Sequence, residues 1–179
     1  MKRLAAFFCI AALFFLAPKG LFAADGAYVR AVAGQKSRDL LFSKNDKGGF
    51  SLFFYCGSCY YSLTLGREGR DMLEDAVKSY NEQFEKRRLK KKKPSSAREY
   101  GKMPVFLEWG STSQKLDRES DSFANLGYVF VKQAPYFSIT VQNSKSVKEQ
   151  ATPALQESGE VELLFTRPQL KALFDLLAS

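Results

Sequence analysis

The chain is expected to fold as α+β, a largely antiparallel sheet with one long helix and one C-terminal helix packed on it. Three observations carry that expectation. Short runs such as Phe50 to Tyr55, Tyr60 to Leu65 and Tyr136 to Gln142 alternate between two faces with a period of two. Leu73, Ala76, Val77, Tyr80 and Phe84 recur at helical spacing, as do Leu170, Leu173, Phe174 and Leu177 near the end. The 16 Phe, 8 Tyr and 1 Trp supply more ring surface than a disordered chain carries.

The start of the chain reads as a leader. Lys2 and Arg3 precede an apolar run from Leu4 to Ala17, Pro18-Lys19-Gly20 interrupt it, and Leu21-Phe22-Ala23-Ala24 offer small residues for cleavage. That is the three-part layout of a secretory signal peptide over residues 1–23. As a helix the apolar run reaches roughly 21 Å, against a hydrocarbon core of about 30 Å. No later stretch is apolar enough to anchor the chain. Residues 24–179 are therefore expected to form one exported domain, periplasmic or secreted, with no transmembrane segment.

Strands are expected over Tyr28 to Ala33 and Asp39 to Ser43, with a turn at Asn45-Asp46-Lys47-Gly48-Gly49 leading into a hairpin. Gly66-Arg67-Glu68-Gly69 reads as a loop; its spacing resembles that of the RNA-binding KH loop, but that loop joins two helices and belongs inside cells. The long helix should run from Asp71 to about Arg88, capped by Asp71 with Glu74 three residues on. Glu74–Lys78 and Glu82–Lys86 fall at i,i+4 on its exposed side. Met103 to Trp109 reads as a strand and 110–125 as a polar loop. Leu126 to Lys132 and Tyr136 to Gln142 should pair around Gln133-Ala134-Pro135. The polar stretch 143–159 is long for a connection and is expected to be mobile or a contact surface. Val161 to Phe165 closes the sheet, and Thr166 with Gln169 caps the last helix.

Cys56-Gly57-Ser58-Cys59 lies between two strand-like runs, and Gly-Ser suits a two-residue type II′ turn. That turn sets the register: Tyr55 opposite Tyr60, Phe54 opposite Tyr61, Leu52 opposite Leu63, Ser51 opposite Thr64 and Phe50 opposite Leu65. Apolar then faces apolar and hydroxyl faces hydroxyl, which a one-residue slip would destroy. Cys56 and Cys59 flank the turn within reach of a disulfide, and export favours oxidation. Such a bond would be a small structural staple. The C-x-x-C also resembles the motif of thioredoxin-like oxidoreductases, with a looser echo in Ala134-Pro135-Tyr136. The resemblance implies a redox pair with Cys56 as nucleophile and Cys59 as resolving thiol. A thioredoxin-like site, however, needs its first cysteine at a helix N-terminus, and residues 60–65 read as strand.

Charge is local. The formal +8 falls to +5 once Lys2, Arg3 and Lys19 leave with the leader. The seven cations Lys86, Arg87, Arg88, Lys90, Lys91, Lys92 and Lys93 exceed that excess, so the remaining domain carries about −2. This basic segment, continuing to Arg98, is expected to contact an anionic envelope surface or a protein partner. The bland alternative is a solvated loop whose charge keeps the protein soluble. Export argues against nucleic acid.

The chain has no histidine, which removes the usual general base and the commonest metal ligand. Ser-His-Asp and Cys-His sites are excluded within the chain. Asp117-Arg118-Glu119-Ser120-Asp121 alternates acids as a calcium loop does, but Ser122 and Tyr128 stand where an EF-hand needs Gly and Glu. No cofactor or metal is expected, and no motif identifies a family. The expected function is an exported, non-enzymatic structural or interaction protein of the envelope; a periplasmic thiol–disulfide oxidoreductase is the alternative. The oligomeric state stays open.

Overall fold

The computed structural model describes residues 27–33, 36–45, 47–56, 59–91, 99–111, 118–146 and 157–178. The leader expected over 1–23 lies outside the described residues. The rest is a mixed α and β structure built on an antiparallel sheet with two helices. The sheet takes strands β1 (Ala27–Ala33), β2 (Lys36–Lys44), β3 (Phe50–Cys56), β4 (Cys59–Leu65), β5 (Gly101–Ser111), β6 (Arg118–Val131), β7 (Ala134–Val141) and β8 (Val161–Phe165). Each pairs with the next in sequence, and β1 pairs with β8 to close a barrel. The seam is narrow, with Val32 opposite Leu164 as its ladder pair, whereas β1 and β2 share seven pairs from Ala27↔Phe42 to Ala33↔Lys36. Closure removes the exposed sheet edge that an open sheet of this size would carry.

The β3–β4 hairpin has the expected register through all seven pairs, from Phe50↔Leu65 to Cys56↔Cys59. Phe50, Leu52, Phe54, Tyr61, Leu63 and Leu65 face inward and are buried. On the outer face the Ser51 and Thr64 hydroxyls bond at 2.7 Å. The turn before β3 is held by Asn45, whose side-chain oxygen accepts from the N–H groups of Lys47 (3.1 Å) and Gly49 (2.9 Å). Gly49 has no room for a side chain, because a Cβ there would fall 2.0 Å from the Leu65 carbonyl oxygen.

Inward side chains of the remaining strands complete a filled core. Met103, Val105, Leu107 and Trp109 come from β5, Ala124, Leu126 and Tyr128 from β6, Phe137, Ile139 and Val141 from β7, and Val161, Leu163 and Phe165 from β8. The expected loop at 110–125 is corrected here: residues 118–125 belong to β6. Its inward positions beside Leu107 and Val105 are Ser120 and Ser122, small hydroxylated residues opposite bulky ones. Ser122 bonds Ser144 at 2.9 Å, so no apolar alternation marked the strand. The turn to β7 is the pair Lys132-Gln133, with Lys132 at φ +58°, and Ala134 and Pro135 already belong to the strand.

Helix α1 (Arg67–Glu85) crosses the end of the barrel where β4 stops and β5 starts, and buries Leu73, Ala76, Val77 and Tyr80 there. It begins four residues before the expected Asp71 cap. Gly66 stands at the N-cap with no side-chain bond. The first turn is helical because Gly69 is buried against β5, where a Cβ would sit 2.8 Å from the Pro104 carbonyl oxygen. Glu74 pairs with Arg70 (2.8 Å) rather than Lys78, while Glu82–Lys86 forms as expected (3.6 Å). Helix α2 (Arg167–Ala178) follows β8 at the same end. The Thr166 N–H donates to Gln169 Oε1 at 2.8 Å, half of the expected capping box. No helix among the described residues is long and apolar enough to cross a membrane.

Gly49→Ala should destabilise the fold by about 2–3 kcal/mol, because backbone rather than a flexible side chain must yield. Urea unfolding reads this directly; an unshifted midpoint would show that the turn relaxes freely.

Candidate functional site

The basic segment leaves α1 through a built turn. Arg87 adopts φ +51°, its N–H donates to the Phe84 carbonyl (3.0 Å), and the Arg88 N–H donates to the Gln83 carbonyl (2.8 Å). This is the paired bond pattern of a Schellman motif, made with arginine where glycine is usual. The helix therefore ends at Glu85, three residues earlier than the expected Arg88. Leu89 then turns back and packs against the core. At the next residue the segment is tied to the barrel: Tyr128 Oη donates to the Lys90 carbonyl (3.2 Å) and accepts from the Lys90 N–H (3.4 Å).

This geometry fixes the backbone while exposing the charges. Lys86, Arg87, Arg88, Lys90 and Lys91 are all exposed. Lys92 and Lys93 lie outside the described residues, as do 94–98. Sequence reasoning found the cations but not their anchor, because a backbone-to-phenol bond across 38 residues leaves no local signal.

Beneath the segment lies a layer of rings. Tyr80 meets Phe137 edge-on at 5.6 Å, Tyr100 stacks on Phe137 at 6.1 Å, and Tyr128 lies 6.1 Å from Tyr100. Each phenol also makes a hydrogen bond: Tyr80 to the Pro135 carbonyl (3.1 Å), Tyr100 to Gln83 Oε1 (3.2 Å) and Tyr128 to Lys90. Phe84, expected in the helix stripe, is 36% exposed and carries the Arg167 guanidinium 4.7 Å above its ring. Arg167 is held there by Asn81 (3.0 Å) and Glu85 (2.8 Å), which joins α2 to α1.

Cys56 and Cys59 sit at the opposite end. They oppose each other across the hairpin, Cys56 exposed and Cys59 half-buried. The expected disulfide is not formed in the structure, where both are free thiols. The Gly57-Ser58 turn lies outside the described residues. Neither cysteine stands at a helix N-terminus, since both belong to strands. Close by, Tyr61 donates to the Ser158 carbonyl at 2.9 Å.

That bond fastens the ends of the 143–159 stretch, expected to be mobile. Ser158 and Ser144 exchange bonds of 2.9 and 3.0 Å, and Asn143 donates to Glu157 at 2.6 Å. Residues 147–156 lie outside the described residues. Among the described residues no group of three or more Cys, Asp or Glu is placed to hold a metal.

Residues 11–179 match the family described as an uncharacterised Treponema protein. The chain belongs to that family. No curated protein and no solved structure matches it. Within the family's span lie the whole barrel, both helices and the basic segment.

The buried phenols set a pH dependence. Burial pushes Tyr61 up to about 12, with the neighbouring Cys59 and Cys56 adding to it. Burial likewise pushes Tyr80 up to about 12, against a smaller opposing effect of Arg167. Tyr100 is raised further, first by burial and then by Glu99 and the other phenols. Raised values mean that the fold favours the neutral phenols. Their stabilisation is complete below the unfolded value near 10 and drains away as pH rises from there through about 12. Tyrosinate absorbance recorded with circular dichroism should show these phenols ionising late and together with unfolding. Ionisation of all of them near pH 10 with the fold intact would contradict the packing described.

Proposed function

We propose that this protein is an exported, non-enzymatic interaction protein of the cell envelope that docks on an anionic partner surface through Lys86, Arg87, Arg88 and Lys90 to Lys93. One observation carries the reading: the segment's exposed cations ride on a backbone pinned by the Schellman turn and by Tyr128. A merely solvated loop has no need of such anchoring, and a pinned array loses less conformational entropy on contact. The filled barrel also supports it, because Trp109, Tyr128, Phe50, Phe54, Phe137 and Phe165 occupy the interior that a ligand-carrying barrel would leave open. Replacing Lys90 to Lys93 with Gln should release the protein from envelope fractions. At about 1 kcal/mol per cation near a charged surface, the loss should exceed tenfold and shrink in high salt. Unchanged retention in low salt would refute the proposal.

A second reading rests on the cysteine pair. An exposed Cys56 opposite Cys59 at a hairpin tip is accessible to thiol exchange, as a periplasmic oxidoreductase requires. Equilibration in glutathione buffers followed by thiol trapping separates the roles. On this reading the potential lies near −200 mV or above; a value below about −300 mV would dismiss the oxidoreductase.

A further inference from the structure

We propose that the partner of the basic segment is an anionic phospholipid bilayer, met with the C-terminal edge of α1 downward and with Leu89 and Phe130 entering the interface. The inference rests on the docking function proposed above and names its substrate. It comes from what stands among the cations. Arg87, and Arg167 paired with Glu85, line a shallow cleft of about 430 Å³ whose other walls are Phe84, Leu89, Phe130 and Pro135. Phe84 is 36% exposed, and Leu89 and Phe130 are half-buried. Lys132, in the turn after Phe130 and Val131, is exposed at the same end. Cations around part-exposed apolar and aromatic groups match a headgroup layer above acyl chains, whereas a purely polyanionic wall polymer offers no apolar layer for Phe130 and Leu89 to enter.

Charge segregation along α1 sets the orientation. Its N-terminal half carries Glu68, Asp71, Glu74 and Asp75 against Arg67 and Arg70, a net charge of about −2, and the basic cluster follows its C-terminus. From Asp75 to the helix end at Glu85 is roughly 15 Å at about 1.5 Å per residue, close to two screening lengths of about 8 Å. The acidic half therefore does not cancel the attraction of the basic edge and is itself turned away from an anionic surface. Two acids remain at the basic edge, and both are engaged: Glu82 with Lys86 (3.6 Å) and Glu85 with Arg167 (2.8 Å). Glu99 lies near Tyr100, on the segment leading into β5.

The protein carries a built-in control. Its single Trp, Trp109, is 1% exposed and lies eight residues along β5 from the helical end, roughly 27 Å by strand rise. A Leu89→Trp variant adds a reporter where contact is expected, and Phe130→Trp is the substitute should that variant misfold. The probes are vesicles of phosphatidylcholine alone, or with phosphatidylglycerol, made with a chain-brominated phosphatidylcholine as quencher. With phosphatidylglycerol present, the added Trp should shift to the blue and lose at least half its emission, while Trp109 in the unmodified protein stays constant. Phosphatidylcholine alone should give no change, and R87Q/R88Q/K90Q/K91Q in the reporter background should abolish the quenching. Sedimentation with anionic vesicles but no quenching would sink the bilayer insertion and leave electrostatic docking standing. Retention on envelope fractions without any vesicle binding would assign the surface to a protein or polymer. Loss of both would remove the docking function as well.

Discussion

The helical end of this molecule depends on one layer of packed rings. Tyr80 of α1, Tyr100, Tyr128 of β6 and Phe137 of β7 pack together where the helix meets the barrel. Aromatic packing alone gives each ring pair about 0.5–1.5 kcal/mol beyond its burial. What distinguishes this layer is that each of its phenols bonds a different piece of chain. Through them the barrel interior, the end of α1, the β7 start and the basic segment share one network.

The β3–β4 hairpin was fully legible because a two-residue turn admits few geometries and the side chains on both faces agree with one register. The closing strand Val161–Phe165 was legible as an apolar run between a polar stretch and a capped helix. β6 was not, because its first half turns serines inward beside larger neighbours and acids outward, so neither face shows alternation. The early start of α1 was hidden for a different reason: Arg67-Glu68-Gly69-Arg70 looks like a loop until β5 lies against Gly69. Barrel closure was out of reach, since the seam joins residues 32 and 164 through one ladder pair.

The candidate sites divide in the same way. Composition alone marked the seven cations, and spacing alone marked the two cysteines. The tertiary fold then gave these signals different surroundings. The cations stand on an anchored turn next to accessible apolar groups, while the cysteines stand on strands at the far end with a tyrosine latch beside them. Electrostatics and thiol chemistry are thus separated along the barrel, and neither depends on the other for its geometry.

The place of α1 in the topology has a consequence of its own. β4 and β5 form a direct ladder, Tyr61↔Trp109 among its pairs, although residues 66–100 intervene. Helix and basic arm are therefore inserted between two strands that are direct neighbours in the meander. Opening that connection costs little, since loop-closure entropy rises by only about 0.6 kcal/mol per doubling of length. The insert closes the barrel mouth and carries the charge, while the ladder keeps its register by itself. Such a division places the charged segment outside the set of backbone bonds that hold the barrel together.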